Sequence, residues 1–322
     1  MIGLEYQILI AILLDQLFGD PRWLPHPVRI IGATCAGLEK VTRTLLPPFA
    51  AGICTVTLIL GLTGLTTWGL IEGGALIHPW LADLTSIILL YTTIAAGDLA
   101  GHSRQVYAPL ATGDLTEARK RVGMIVGRDT ANLDEEGVTR AAVESVAESM
   151  VDGVTAPLFF AVLGGPVAAM LYKAVNTMDS MFGYKNEHNL QFGWGAARLD
   201  DLANFIPARI TALMIPAAAF LLRLDQKTSL FILMRDRLKH ASPNSGHTEA
   251  AVAGALGVQL GGSNRYFGNI LEKPTIGDAT RPIEPRDILR ANRLMQLSSA
   301  LTLLAFFVLR QQSLALQNYF TP

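Results

Sequence analysis

From residue 44 to residue 71 the chain carries no charged side chain, a run of 28 residues. A helix needs about 20 consecutive apolar residues to cross the hydrocarbon core of a bilayer. A helix lying on a soluble core would instead carry charge on its outer face. The run therefore points to a membrane, and other runs support it. Residues 294–309 are uncharged, and Arg310 is the one charge between there and Pro322. Residues 153–172 form a third run, 84–97 and 210–222 are shorter, and 4–18 is interrupted by Glu5 and Asp15. The shorter runs alone would also suit buried core helices. Composition agrees with the membrane reading: half of the residues are hydrophobic and 16% charged, against about 25% charged in ordinary soluble domains. A net charge of −1 gives no footprint for nucleic acid. Cys35 and Cys54 stand in no metal-ligand spacing and read as free thiols. No basic segment precedes the first apolar stretch, so that helix is expected to be retained rather than cleaved.

Lys and Arg are absent between Arg43 and Arg104. The connection around Glu72 to Asp83 thus reads as the external loop of a helical hairpin, and the basic flanks read as cytoplasmic. Residues 98–152 are expected to form a cytoplasmic helical insert, with Asp114 capping one helix and Glu117 at the capping-box position. Thr130 or Asp134 would cap the next. Pro157 and Gly164-Gly165-Pro166 punctuate the following apolar run, which favours a re-entrant hairpin over a single kinked span. Residues 223–293 hold 11 Lys or Arg and also read as cytoplasmic. For that parity to hold, the 210–222 run must re-enter or one crossing is miscounted. The expected class is all-α: one polytopic membrane domain over residues 1–322, with broken or re-entrant helices and four to six membrane-embedded helices.

Polar residues concentrate between Gly127 and Arg209. Glu144, Glu148 and Asp152 are spaced by four and share one helix face. Stacked like charges repel unless a cation sits among them, which suits Mg²⁺; a solvated acidic face is the bland alternative. Lys173, Asn176 and Asp179 continue one face at the end of an apolar run, where polar groups are costly and mark functional cavities. Lys173 alone would merely snorkel. Gly183 to His188 form a polar loop, followed by Arg198, Asp200, Asp201, Asn204 and Arg209; juxtamembrane charge is the competing reading. His26 lies between Pro25 and Pro27 in a turn-rich segment and, as a lone histidine, reads first as structural. Residues 242–249 form a further polar cluster leading into a small-residue helix over 250–260. A Gly-rich turn at Gly261-Gly262 near Arg265 offers a weak phosphate cradle. No P-loop, dinucleotide fingerprint, zinc-protease or hydrolase-elbow motif is present.

Several of these segments together resemble the adenosylcobinamide-phosphate synthase family of cobalamin biosynthesis. They are Asp20-Pro21-Arg22-Trp23-Leu24-Pro25-His26-Pro27-Val28, Gly127-Arg128-Asp129-Thr130 and Glu144-Ser145-Val146-Ala147-Glu148. The resemblance continues through Asp152-Gly153 and residues 156–159, and is closest over residues 172–181, 183–186 and 197–201. Residues 242–247 and 261–266 complete it. It covers most of the chain apart from residues 44–83 and the C-terminal tail. Ser149 departs from the pattern, since Asn is expected there in many relatives.

The resemblance implies an ATP- and Mg²⁺-dependent ligase in the cell membrane, with its active site facing the cytoplasm. It would join adenosylcobyric acid to aminopropanol or aminopropanol O-phosphate, giving adenosylcobinamide or its phosphate. Association with other membrane enzymes of cobalamin assembly would follow. Carboxylate activation needs metal on the phosphates and cations around the transferred group; the amine needs a base. The residues expected to act are Glu148, Lys185, Glu187, Arg198 and His247, with His247 and Glu187 as candidate bases. His26, Arg128, Asp129, Lys173, Asn176, Asn186, Asn244 and Arg265 are expected to bind substrate or ATP. Glu144, Glu148, Asp152, Asp179, Asp200 and Asp201 are expected to hold metal. A membrane Mg²⁺-dependent transferase acting on a diphosphate fits less well, because paired Asp motifs with four-residue spacing are missing. A transporter would need more full spans or a repeat.

Overall fold

The computed structural model describes the backbone of residues 2–20, 26–184, 186–266 and 268–320, and side chains as far as Gln312. The turn-rich stretch 21–25 and Lys185 lie outside the described residues. In chain order the helices are α1 Leu4–Phe18, α2 Pro27–Leu45, α3 Pro48–Ile77, α4 Pro79–Tyr91, α5 Ala96–Ala111, α6 Leu115–Val122 and α7 Glu135–Met150. A π-helical turn, Val151–Thr155, leads into α8 Ala156–Phe182. Then follow α9 Trp194–Ala203, α10 Phe205–Leu221, α11 Gln226–Asp236, α12 Ser245–Leu256, strands β1 Leu260–Tyr266 and β2 Asn269–Ile276, and α13 Arg286–Phe320. The protein is an all-α membrane protein carrying one small hairpin.

Local chemistry accounts for the helix starts. Asp114 Oδ1 accepts from Glu117 N at 3.0 Å, and Asp134 Oδ1 accepts from Gly137 N at 2.8 Å, so Asp134 rather than Thr130 caps α7. His26 and His78 cap α2 and α4 through Nδ1, with Pro27 and Pro79 at the first helical position. His78 alone joins α3 to α4, so the expected hairpin has a one-residue connection. Four helical stretches are long and apolar enough to cross a bilayer: Pro48–Ile77, Pro79–Ala111, Glu135–Phe182 and Arg286–Gln312. The pair α9 and α10, bent by 42°, forms a broken span or a re-entrant loop. Only 33% of the most apolar α3 window is buried, so its outward leucines need a lipid environment.

The chain divides into two compact units. The first comprises 1–95, 156–204 and 305–322. In it α8 packs on α2, α3 and α4; Met170, Ala174 and Met178 bury against Ala51, Val56 and Ile59, and Phe182 meets Phe192 edge-on. The expected interruption of α8 is at Gly164 and Gly165, whose dihedrals leave the helical region immediately before Pro166.

The second unit comprises 96–155 and 205–304, which brings the α5–α7 segment and most of residues 223–293 into one body. Here α12 is buried from Gly246 to Leu256 and packs on α7, α10 and α11. Two expectations fail in this unit. The small-residue helix ends at Leu256, stopped by Gly257 in the left-handed conformation, rather than running to residue 260. Gly261 and Gly262 do not form a turn; they sit at a bulge inside β1, paired across to Thr275 and Lys273.

Candidate active site

The second unit encloses a cavity of about 240 Å³ between α7, α12, the end of α11 and the β1–β2 hairpin. Its floor is an ion pair, Arg128 with Glu144, whose side chains are 10% and 7% exposed. Arg128 Nη1 also donates to Asn264 Oδ1 at 2.7 Å, and Glu144 Oε1 accepts from Gly261 N at 2.7 Å. Both buried charges thus have the extra hydrogen bonds that such a pair requires. Gly261 can aim its N–H there because φ is +78°; a Cβ would fall 2.4 Å from the Pro274 carbonyl oxygen.

Two further carboxylates line the cavity, Glu148 and Glu249. Glu148 is exposed. Glu249, in α12, is 4% exposed. The His240 ring faces it, with Nε2 3.5 Å from Oε1. His240 Nδ1 accepts from Ser242 N at 3.0 Å, so a neutral ring carries its proton on Nε2, towards Glu249. Burial pushes the Glu249 carboxyl well above the ordinary range. The charges of Glu148 and Glu144 push the same way, and Lys273 and Arg128 oppose them. Lys273 also lines the cavity and donates to Tyr266 Oη at 2.8 Å. Above the Arg128–Glu144 pair the cavity combines the buried Glu249 carboxyl, Glu148 and a lysine in a volume suited to a small polar molecule. Drug-sized ligands occupy roughly 300–1,000 Å³.

The first unit holds a second acidic group, Asp179 on α8 with Asp200 and Asp201 on α9. Asp200 accepts from Asn204 Nδ2 at 2.9 Å and Asn176 Nδ2 at 3.4 Å, and Tyr172 Oη donates to Asn204 Oδ1 at 2.9 Å. Asp179 and Asp201 lie close enough for their charges to act on Asp200. Gly183 closes over this group, since a Cβ there would meet Asp179 Oδ1 at 2.1 Å. Arg198, largely exposed, is 3.6 Å from Asp201. Among the described residues no group of three or more His, Cys, Asp or Glu converges tightly enough to hold an ion by itself. An ion would lean on one or two carboxylates together with ligand oxygens, as Mg²⁺ commonly does.

The family model described as CobD/Cbib protein matches residues 8–295. The chain belongs to the CobD/Cbib family. Its relatives named cobalamin biosynthesis protein CobD include one from Geobacter metallireducens, 52% identical over 86% of this chain and 87% of that protein. One from Leptospira interrogans is 48% identical over 95% of this chain and 97% of the relative. One from Clostridium perfringens is 47% identical over 94% and 97%. No solved structure matches.

In this CobD/Cbib chain the expected site residues divide between the two units. Arg128, Glu144 and Glu148 come together at the cavity. Asp152, half-buried in the π-helical turn, does not line it. One helical turn beyond Glu148, about 6 Å along the axis, it passes the cavity, and Glu249 supplies the third carboxylate instead. Asp129 pins the hairpin tip, its N–H donating to Arg265 O at 2.8 Å and its Oδ2 accepting from Gly268 N at 2.8 Å. Arg265 itself points outward and is exposed. His247 and Asn244 sit at the head of α12, and His247 is not part of the cavity lining.

In the first unit Asn176, Asp179, Asp200, Asp201 and Arg198 come together, with Lys173 one turn earlier on α8. Glu187 is exposed in the loop after α8, while Asn186 Oδ1 accepts from Asn189 N at 2.9 Å. His26 Nε2 is 3.4 Å from Asp20. Glu249 and Asn264 stand in sequence only as members of the 242–249 cluster and the 261–266 motif, with no role of their own, and nothing in the sequence points to His240 or Lys273. One signal for Glu249 was present: an ionisable residue directly before the apolar run Ala250–Leu256 must have a reason to be buried.

Proposed function

We propose that the protein is an ATP-dependent acid–amine ligase of cobalamin biosynthesis. It joins adenosylcobyric acid to aminopropanol or aminopropanol O-phosphate, giving adenosylcobinamide or its phosphate. The observation that carries the reading is Glu249, a buried carboxylate of raised pKa on a small charged cavity. Amide formation needs such a group, because an amino alcohol arrives as its ammonium ion and must lose a proton before it attacks. A carboxyl held above its ordinary range binds that proton more strongly than an exposed one does.

In this reading an oxygen of the acid substrate attacks the γ-phosphoryl group of ATP, giving an acyl phosphate and ADP. Glu249 takes one proton from the ammonium group. The amine nitrogen then attacks the acyl carbon, the C–O bond to phosphate breaks, and the amide and inorganic phosphate leave. Glu148 shares the ammonium charge. Mg²⁺ brought with ATP would supply charge neutralisation for the transferring phosphoryl group. Membership in the CobD/Cbib family, and the cobalamin biosynthesis for which its relatives are named, support this assignment.

The acyl phosphate gives a direct test. Protein supplied with acid substrate, ATP and Mg²⁺ but no amine, then quenched with hydroxylamine, is expected to yield the hydroxamate of the acid. An active preparation that yields none would contradict the stepwise mechanism.

A further inference from the structure

Among the described residues the head of α12 gathers two guanidiniums, Arg209 and Arg237, that no carboxylate pairs. Arg209, in the first turns of α10, donates to Phe205 O at 2.7 Å and Asn244 Oδ1 at 3.2 Å, and lies 3.4 Å over the Phe205 ring. Arg237, at the end of α11, donates to Met234 O at 2.6 Å. Among the described residues neither guanidinium makes an ion pair with a carboxylate, although both are only partly exposed. Both act on the same neighbour, His247. Burial, then the charges of Arg209 and Arg237, push the His247 pKa below its ordinary value, against the nearby Asn244 and Pro243 carbonyls.

Three further features mark this place. His247 is 5% exposed, and its Nδ1 is buried with no hydrogen-bond partner. The 12-residue helix α12 begins here, and its N-cap residue Asn244 makes no side-chain capping bond. Gly246 holds the start of α12 against the end of α11, since a Cβ would meet Arg237 O at 2.6 Å. Two guanidiniums, an unsatisfied imidazole nitrogen and a helix N-terminus all favour an anion. Guanidinium forks match a tetrahedral phosphate in particular.

We infer that Arg209, Arg237 and His247 form a phosphoryl-anion site at the head of α12. His247 Nδ1, Arg209 and Arg237 supply the donors, and the anion removes the repulsion between the two guanidiniums. His247 is then an anion ligand rather than the base for the amine, a role that stays with Glu249 two residues further along. The phosphoryl group has two possible sources, a soluble phosphate ester and a lipid headgroup. Only its identity as a reactant group rests on the ligase reading; the binding itself does not.

The test uses the full chain in a neutral detergent free of phospholipid, with inorganic phosphate as the probe and no nucleotide or amine present. The wild-type melting temperature is expected to rise with phosphate and not with acetate. Arg209→Gln and Arg237→Gln are each expected to weaken apparent phosphate affinity at least about tenfold, as loss of a charge-assisted hydrogen bond would. Without phosphate, Arg237→Gln is expected to melt no lower than wild type, which a merely structural arginine would not allow. Repeating the titration in nanodiscs of phosphatidylglycerol and of an uncharged glycolipid separates the sources. Loss of the phosphate effect only in phosphatidylglycerol identifies a lipid headgroup as the occupant, and persistence in both identifies a soluble ester. No phosphate-dependent shift, an equal shift with acetate, or a shift surviving both arginine variants would overturn the site. An intact phosphate shift in a protein that makes no amide would instead refute the ligase reading alone.

Discussion

Glu249 concentrates the argument at the scale of single residues. Its raised pKa means that the native state holds a proton more tightly than the unfolded chain does. Wherever the native state binds more protons, stability falls as pH rises. The loss begins near the ordinary Glu pKa of about 4.3 and is complete above the raised folded value. Glu249→Gln removes the titration and keeps the shape. That variant is therefore expected to lack the decline in melting temperature that wild type shows as pH rises above about 4.3. The same substitution is expected to slow amide formation by about 10²–10⁴-fold, the usual contribution of a general base. Unchanged activity, or an unchanged pH profile of stability, would remove Glu249 from its assigned role.

Secondary-structure elements show what was legible in the sequence. Caps act within four residues, so Asp114 and Asp134 announced α6 and α7 directly. The α3–α4 hairpin was legible because Lys and Arg are absent between Arg43 and Arg104, which marks the connection near Glu72 to Asp83 as the far end of two apolar helices. The β1–β2 hairpin was not: Gly261-Gly262-Ser263-Asn264 has neither alternating hydrophobicity nor β-branched residues. Its place is set by contacts over 100 residues away in sequence, such as Gly261 N to Glu144. The third carboxylate of the cavity escaped for the same reason, because Glu249 meets Glu144 and Glu148 only through folding. The bulge glycine is the point where hairpin and cavity depend on each other. Gly261→Ala forces a Cβ into the Pro274 carbonyl at a positive φ. It is expected to destabilise the protein by about 1–3 kcal/mol, with faster amide exchange along β1 and β2. Exchange and melting indistinguishable from wild type would show that the bulge does not anchor the cavity floor.

At the scale of the whole molecule, the apolar helices and the charged groups do different work. The outward leucines of α3 and the length of the other apolar helices place the chain in a bilayer. The polar residues that composition made scarce are spent on a few enclosed or clustered sites: the Arg128–Glu144 floor with Glu249 above it, the Asp179–Asp200–Asp201 group, and the basic head of α12. Membership in the CobD/Cbib family was legible from motif order, whereas the division of those motifs between two compact units was not, because it depends on which distant segments pack together. Amide formation from adenosylcobyric acid is the activity proposed for this chain. Its most direct measurement is the mass of the corrinoid product after purified protein is incubated with adenosylcobyric acid, ATP, Mg²⁺ and, separately, aminopropanol or aminopropanol O-phosphate. The account predicts the amide with at least one of the two amines, formed only when ATP is present; unaltered adenosylcobyric acid with both amines would contradict it.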